Sequence, residues 1–371
     1  MYLPNLDAQA RVMMFAPHPD DESLAAGVFL QRAVTSGAAV RIVYATDGER
    51  NGWPQRLLER RMRLRENDRR RWARRRRAEA IAALGVLRVG LAQVQFLSLP
   101  DQGLTNLLFD GCHETLHRLA LAIGTWRPTH LLIPSAADTH PDHSALAVLL
   151  NMVCEDFLPR SLAVKRLEYL VHGASGSFAQ RACDLPQSIS EVEAKRRAIS
   201  CHVTQVALSR RRFLRYAKRP ERFALSGENS GPCVDGPIRS FQRNRSHLRL
   251  EVAFALKPLH AEETSLYLVG QDISGGRRSL RVVLPARTSK LDLIDCGTGE
   301  IAGVGRYLGD KFRAEIVLPA HPFARDKSLY LKLDRRVWFF DEAGWREIAP
   351  VPSRTAYPSP GPAAARELAV A

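Results

Sequence analysis

The sequence predicts an α/β protein built on a doubly wound, mainly parallel sheet, followed by an all-β region. Three observations carry that reading. Short apolar runs alternate with amphipathic stretches from residue 12 to about residue 205. Each run ends at a Pro, Gly or Asp-Gly signal. Beyond residue 237 the texture changes to short alternating segments separated by turn residues.

The elements follow in order. Val12 to Ala16 is an unbroken apolar run halted by Pro17, as a central strand buried on both faces requires. Asp20 to Ser23 open a helix whose acidic first turn suits the helix dipole and whose stop is Ser36-Gly37. Val40 to Thr46 is the second strand, closing a βαβ unit. An arginine-rich segment then leads into a helix over Ala78 to Leu84, expected to end at Gly85. Val94 to Leu99 is the third strand. His113 to Ile123 is a helix with Gly124 as its stop, and His130 to Ile133 is the fourth strand. Ser144 to Phe157 reads as a helix, Leu167 to Val171 as a fifth strand, and a further helix runs from Ser190 to about Gln205. Alternation of this kind calls for helices on both faces of a parallel sheet, the Rossmann-like arrangement. Ser226 to Pro237 is a linker by composition. His247–Leu256, Thr264–Gly270, Leu280–Pro285, Lys290–Asp295, Phe312–Leu318 and Ser328–Leu333 are the strands of a sandwich-like domain. The expected division is therefore 1–230, 231–349 and a loose Pro/Ala-rich tail over 350–371.

Composition narrows the class. With 371 residues, 45% hydrophobic and 25% charged, the chain is neither disordered nor a membrane protein by composition. Cys112, Cys154, Cys183, Cys201, Cys233 and Cys296 show no C-x-x-C spacing, which excludes a disulfide scaffold and a cysteine zinc ribbon. Residues 1–11 lack the basic start and apolar core of a signal peptide, and Ala145–Cys154 is too short to span a bilayer. A cytoplasmic protein is expected, at most peripheral to the inner face of a membrane. The formal net charge is +15, but twelve arginines and only three acids fall within 56–77, so much of the excess belongs to one segment.

Two segments concentrate metal-ligand chemistry. Pro17-His18-Pro19-Asp20-Asp21-Glu22 follows the first strand, and Asp138-Thr139-His140-Pro141-Asp142-His143 follows the fourth. In a sheet of order 3-2-1-4-5 these strand ends flank the crevice where ligands bind. Either segment alone is explained by a turn or a helix cap; two at neighbouring strand ends are not. Catalytic zinc takes three protein ligands and keeps a position for water. His18 and Asp21, three apart at a strand-to-helix turn, and His143 from the other loop supply such a set. Asp20 is then placed as general base and His140 as proton donor or oxyanion partner, with Asp142 expected to orient His140.

Those same residues resemble the zinc-dependent de-N-acetylases: the bacterial LmbE-like proteins, the mycothiol and bacillithiol pathway deacetylases, and the eukaryotic N-acetylglucosaminyl-phosphatidylinositol deacetylase, PIG-L. The likeness rests on Ala16-Pro17-His18-Pro19-Asp20-Asp21-Glu22-Ser23 and His140-Pro141-Asp142-His143. Thr46-Asp47-Gly48-Glu49, Leu99 to Leu104, Lys195 to Ala198 and His202 to Gln205 support it, over about residues 10 to 206. The resemblance implies zinc on His18, Asp21 and His143, with Fe2+ as the alternative ion, Asp20 as base and His140 as transition-state partner. It further implies removal of the N-acetyl group from an N-acetylglucosamine-type sugar. The arginine segment points to an anionic carrier of that sugar, such as a lipopolysaccharide or lipid-linked envelope intermediate, and to peripheral contact with an anionic membrane face. Family members carry Arg-x-x-Glu on the helix ending in Leu-Gly; Arg76 to Glu79 has the pattern, one turn nearer Leu84-Gly85. Asp47, Arg76 and Asp101 are the candidates for substrate contact.

Two rivals compete. His113-Glu114-Thr115-Leu116-His117 is a literal H-E-x-x-H, the zinc-peptidase signature. The arginine run over 56–77 could instead grip nucleic acid, although no recognised nucleic-acid motif accompanies it.

Overall fold

Apolar runs that ignore strand alternation end up in the middle of a sheet, and the first of these runs does so completely: Val12 to Ala16 are fully buried. The computed structural model describes residues 6–110, 112–159, 163–173, 176–226, 236–254, 264–337 and 339–351. Most of the expected linker, the tail beyond Val351, and Trp338 lie outside those residues.

In chain order the first part contains β1 (Arg11–Ala16), α1 (Asp21–Thr35), β2 (Ala39–Thr46), α2 (Gly52–Glu59), α3 (Glu66–Val86), β3 (Val94–Leu99), α4 (Leu104–Phe109), α5 (His113–Trp126), β4 (His130–Pro134), α6 (Pro141–Asp156), β5 (Lys165–Tyr169), α7 (Gly176–Arg181), β6 (Cys183–Leu185), α8 (Ile189–Cys201), α9 (Val203–Lys218) and β7 (Glu221–Leu225). The strands form one sheet of order β3-β2-β1-β4-β5-β7-β6. Its first five members are parallel, and β7 and β6 are antiparallel additions. Val12, Met14 and Ala16 face a core shared with α1, α3, α8 and α9, whereas Met13 and Phe15 face one shared with α4, α5 and α6. Because α1 and α6 leave the adjacent strands β1 and β4 toward opposite faces, a crevice opens between the two strand ends.

Several boundaries moved for identifiable reasons. The helix expected at 78–84 begins at Glu66, because Trp72, Ala73, Arg76, Ala80, Ala83 and Leu84 make one buried stripe at helical spacing through the arginine run. Gly85 and Gly124 sit inside their helices, α3 and α5, and do not end them. The single helix expected after Ser190 is two, broken at His202, whose ring is drawn inward to Glu22 at 2.9 Å. A kink at Ala26 frees the N–H groups of Val28 and Phe29, which donate to the Glu221 carboxylate at 2.7 and 2.9 Å; Lys195 Nζ neutralises that carboxylate at 2.8 Å.

The second part contains β8 (Ile238–Arg243), β9 (His247–Ala253), β10 (Ser265–Gln271), β11 (Arg277–Val283), β12 (Arg287–Asp295), β13 (Ile301–Asp310), β14 (Arg313–Pro319), β15 (Leu329–Asp334), β16 (Arg336–Val337), β17 (Phe340–Asp341) and β18 (Arg346–Ile348). The expected two-sheet sandwich is instead one nine-stranded antiparallel sheet, β18-β15-β10-β11-β12-β13-β14-β9-β8, with β16 and β17 forming a separate small hairpin. Register shifts in the β12–β13 pair bend the sheet, so that its inward residues, Leu250, Leu268, Leu280, Leu293, Ile316 and Leu331 among them, meet in one core. β13 escaped the sequence reading because it is glycine-rich. Those glycines are required: a Cβ on Gly305 would stand 2.6 Å from Leu318 Cδ2 and 2.7 Å from Val317 O.

The two parts share a core. Val269, Tyr330 and Trp345 pack among the α4, α5 and α6 side chains, and Asp156 at the end of α6 pairs with Arg277 and Lys327.

Candidate active site

The two segments singled out by spacing meet at the crevice. His18 Nδ1 lies 3.4 Å from Asp21 Oδ2, His143 Nε2 lies 3.3 Å from the same oxygen, and the two ring nitrogens are 3.3 Å apart. Donors bound about 2.0–2.1 Å from a tetrahedral ion stand about 3.3–3.4 Å from one another, so the triangle has the edge length a zinc-sized ion requires. The protonation pattern agrees. His143 Nδ1 faces Asp138 Oδ2 at 3.1 Å, and His18 Nε2 faces Asp101 Oδ1 and Asp142 Oδ2, each at 3.2 Å. Each ring therefore gives its N–H to a carboxylate and turns its other nitrogen toward Asp21.

Electrostatics point the same way. Burial pulls the His143 pKa down, but Asp21 and Asp138 outweigh it and push it up to about 10. For His18, burial is outweighed by Asp101, Asp142 and Asp21, and the value is raised well above normal. Asp21 is held well below the carboxylate range by His143 and His18 despite its burial. Four carboxylates around two imidazoles make a field that favours positive charge at the centre of the triangle.

Asp20 stands at the start of α1 with φ +151° and ψ −24°, a conformation L-residues rarely adopt and one that costs about 1–3 kcal/mol. Its surroundings impose it. Asp20 N donates to Glu22 Oε2 at 3.1 Å, and Glu22 is itself gripped by His202 and Ser23. Burial lifts the Asp20 pKa to about 6, with Arg76 opposing from 3.3 Å. His140 is lowered well below its ordinary value by burial and by the neighbouring charges of His143 and His18. Its Nδ1 accepts the Asp142 N–H at 3.2 Å, so the neutral ring carries its proton on Nε2. A ligand atom of His140 lies within 4.8 Å of those of His18 and His143.

The expected contact of Asp142 is corrected. Its carboxylate lies on His18, not His140, and also accepts from Gln102 N at 2.7 Å and Leu104 N at 3.1 Å. Lying in the first turn of α6, Asp142 offers His140 its backbone N–H while its side chain reaches the 101–104 loop. The three candidates for substrate contact are all engaged by protein groups. Arg76 is buried and donates to Pro19 O and Gly48 O as well as pairing with Asp20. Asp47 is bidentate to Arg77, and Asp101 accepts from Arg50 N at 2.6 Å while contacting His18.

The sequence assigns no role in the site to Asp138, His172 or Phe340. Asp138 is fully buried and accepts four hydrogen bonds, from His140 N, His143 Nδ1, Val171 N and His172 N. His172, just past β5, packs 5.0 Å from His143 and 5.5 Å from His140, ring centre to ring centre. Phe340 reaches in from the β16–β17 hairpin to 5.2 Å from His172 and 5.9 Å from His140. Asp138 was legible as a carboxylate five residues before His143, and His172 as a histidine at a strand end. Phe340 stands in an aromatic cluster with Phe339 and Trp345 that fits a core as well as a carbohydrate contact, and nothing local ties it to His140. The H-E-x-x-H histidines His113 and His117 are exposed on α5 and belong to no ligand cluster among the described residues.

Residues 13–154 match the family model described as PIG-L, GlcNAc-PI de-N-acetylase. Among solved structures, a deacetylase triple mutant from the teicoplanin biosynthetic pathway is 17% identical with a TM-score of 0.44, covering 59% of this chain and 100% of its own. N,N'-diacetylchitobiose deacetylase from Pyrococcus horikoshii is 19% identical with a TM-score of 0.43, covering 58% and 83%. GalB, a 4-carboxy-2-hydroxymuconate hydratase from Pseudomonas putida KT2440, is 21% identical with a TM-score of 0.38, covering 58% and 95%. No curated protein sequence matches the chain.

Proposed function

We propose, from the match of residues 13–154 to the PIG-L family model and from the site geometry, that the protein is a metal-dependent hydrolase removing the N-acetyl group from an N-acetylglucosamine-type sugar. The observation that carries the reading is the triangle of His18 Nδ1, Asp21 Oδ2 and His143 Nε2 beside a buried, strained Asp20. Those three residues would hold the ion, and two imidazoles with one carboxylate favour zinc. A divalent ion bound there would polarise the acetamide carbonyl and acidify water.

The chain's own groups do the rest. Asp20, with a pKa lifted toward neutrality, takes the proton of the attacking water at one carboxylate oxygen while Arg76 holds the other. His140 presents Nε2–H to the developing oxyanion, and its neutrality keeps that proton in place at the pH where Asp20 is ionised. Phe340 and His172 wall the side next to His140 and would pack against the sugar. The carrier is read as anionic from the arginines of 56–77, as in a lipopolysaccharide or lipid-linked intermediate of envelope biosynthesis. Acetate release from a panel of N-acetylglucosamine conjugates, with and without chelator, tests the reading. Chelator-sensitive release lost in Asp20→Asn is expected; no release from any conjugate, or release indifferent to chelator, would overturn it.

A further inference from the structure

The structure packs a second basic segment beside the first. From Val203 to Arg219 there are six cations and no acid. Arg210, Arg211, Arg212, Arg215 and Lys218 are all exposed on α9 and, among the described residues, have no carboxylate partner. α9 packs against α2 and α3, with Asn51 Nδ2 donating to Gln205 Oε1 at 2.8 Å. On the α2–α3 side, Arg60, Arg63 and Arg74 are likewise exposed and unpaired among the described residues.

Large apolar side chains stand among these cations. Trp53 is 65% exposed, Leu57 60% and Met62 85%, with Val203 and Leu208 also exposed on α9. Trp53 and Leu57 are four apart on α2 and so share a face. This surface borders the candidate active site: α2 starts just after Arg50, whose N–H is held by the same Asp101 carboxylate that contacts His18.

We propose that the α2–α3–α9 face seats the protein on an anionic lipid bilayer, with the apolar side chains entering the headgroup boundary and the arginines engaging lipid phosphates. Amphipathic helices with apolar and arginine-rich surfaces bind such interfaces through both terms together. Nucleic acid would use the cations and at most Trp53, leaving Leu57, Met62, Val203 and Leu208 in water. A second copy of this chain would bring like charge against like charge. The inference does not rest on the catalytic reading: it concerns exposed side chains, whereas Arg76, the α3 residue paired with Asp20, is buried.

The test is co-sedimentation of the full chain with phosphatidylcholine vesicles, with and without about 30% phosphatidylglycerol, at low and high salt. Binding only to the anionic vesicles, weakened by salt, is expected. Arg210→Gln/Arg211→Gln/Arg212→Gln should weaken it about fivefold per charge removed. Trp53→Ser/Leu57→Ser/Met62→Ser should weaken it by at least about tenfold, from the apolar area lost. All six positions lie at the surface, and unchanged thermal unfolding checks that the variants fold. No binding to anionic vesicles, binding that survives the apolar substitutions, or capture of a DNA or RNA oligonucleotide in preference to the vesicles would overturn the proposal.

Discussion

Replacing Asp138 by Asn isolates what holds the candidate metal centre together. The carboxylate accepts from His140 N on Oδ1 at 2.8 Å and from His143 Nδ1, Val171 N and His172 N on Oδ2 at 3.1, 3.0 and 3.1 Å. An amide has one acceptor oxygen. Turning its NH2 toward the Oδ1 position loses one of the four bonds, and the opposite flip loses three, so the first is favoured. His140 N–H then faces a donor, at a cost of about 1–3 kcal/mol. The remaining bond to His143 becomes neutral, which makes Nε2 a poorer ligand. Loss of such a supporting carboxylate weakens metal binding about 10–100-fold, or about 1.4–2.7 kcal/mol. Competition of the purified protein against a chromophoric chelator measures the affinity, and thermal unfolding of the metal-free protein measures the structural loss. Both should fall. Unfolding that drops while metal affinity stays within twofold of the parent would make Asp138 a purely structural residue and refute the reasoning; Asp20→Asn, which removes no ligand, should keep the parental affinity.

Three further outcomes follow from the packing. In Gly344→Ala the new Cβ would stand 2.1 Å from Ala136 O and 2.7 Å from Asp138 O, so the loop bearing Asp138 or the loop between β17 and β18 must move; a loss of about 1–3 kcal/mol in denaturant unfolding, with weaker metal binding, is expected, and parental values for both would contradict it. A chain ending at residue 226 strips Val269, Tyr330 and Trp345 from the core and leaves Asp156 without its cations; size-exclusion chromatography should show aggregation, whereas a monomer with cooperative unfolding would show that residues 6–226 fold alone. Lys195→Met leaves the buried Glu221 carboxylate with only the Val28 and Phe29 N–H groups; a loss of about 3–5 kcal/mol is expected, and less than about 1 kcal/mol would mean those two donors suffice.

Strand limits are legible where an apolar or mostly apolar run meets a strong turn signal. β1 matches within one residue because its continuous apolar run ends at Pro17; β2 and β3, interrupted by Arg41 and by Gln95 and Ser98, match within one residue and to the residue because Asp47-Gly48 and Pro100 end them. Glycine misled in both directions. Its local preference signals a stop inside α3 and α5, where helical packing overrides it, and it obscures β13, where close approach of β14 demands it. Arg76 was picked by motif, but its burial follows from phase: it is the arginine that falls on the Trp72–Ala80–Leu84 stripe.

What the sequence determined by itself was the bringing together of His18, Asp20, Asp21, His140 and His143. Each segment's spacing is short-range, and alternation of strand and helix sends both to one end of neighbouring parallel strands. Tertiary structure decided which carboxylate backs which imidazole: Asp138 behind His143, Asp142 and Asp101 behind His18. It also decided that a hairpin some 200 residues downstream places Phe340 against His140. These are contacts between side chains set by how whole layers pack. Periodicity records which face of an element is buried, and not what it is buried against.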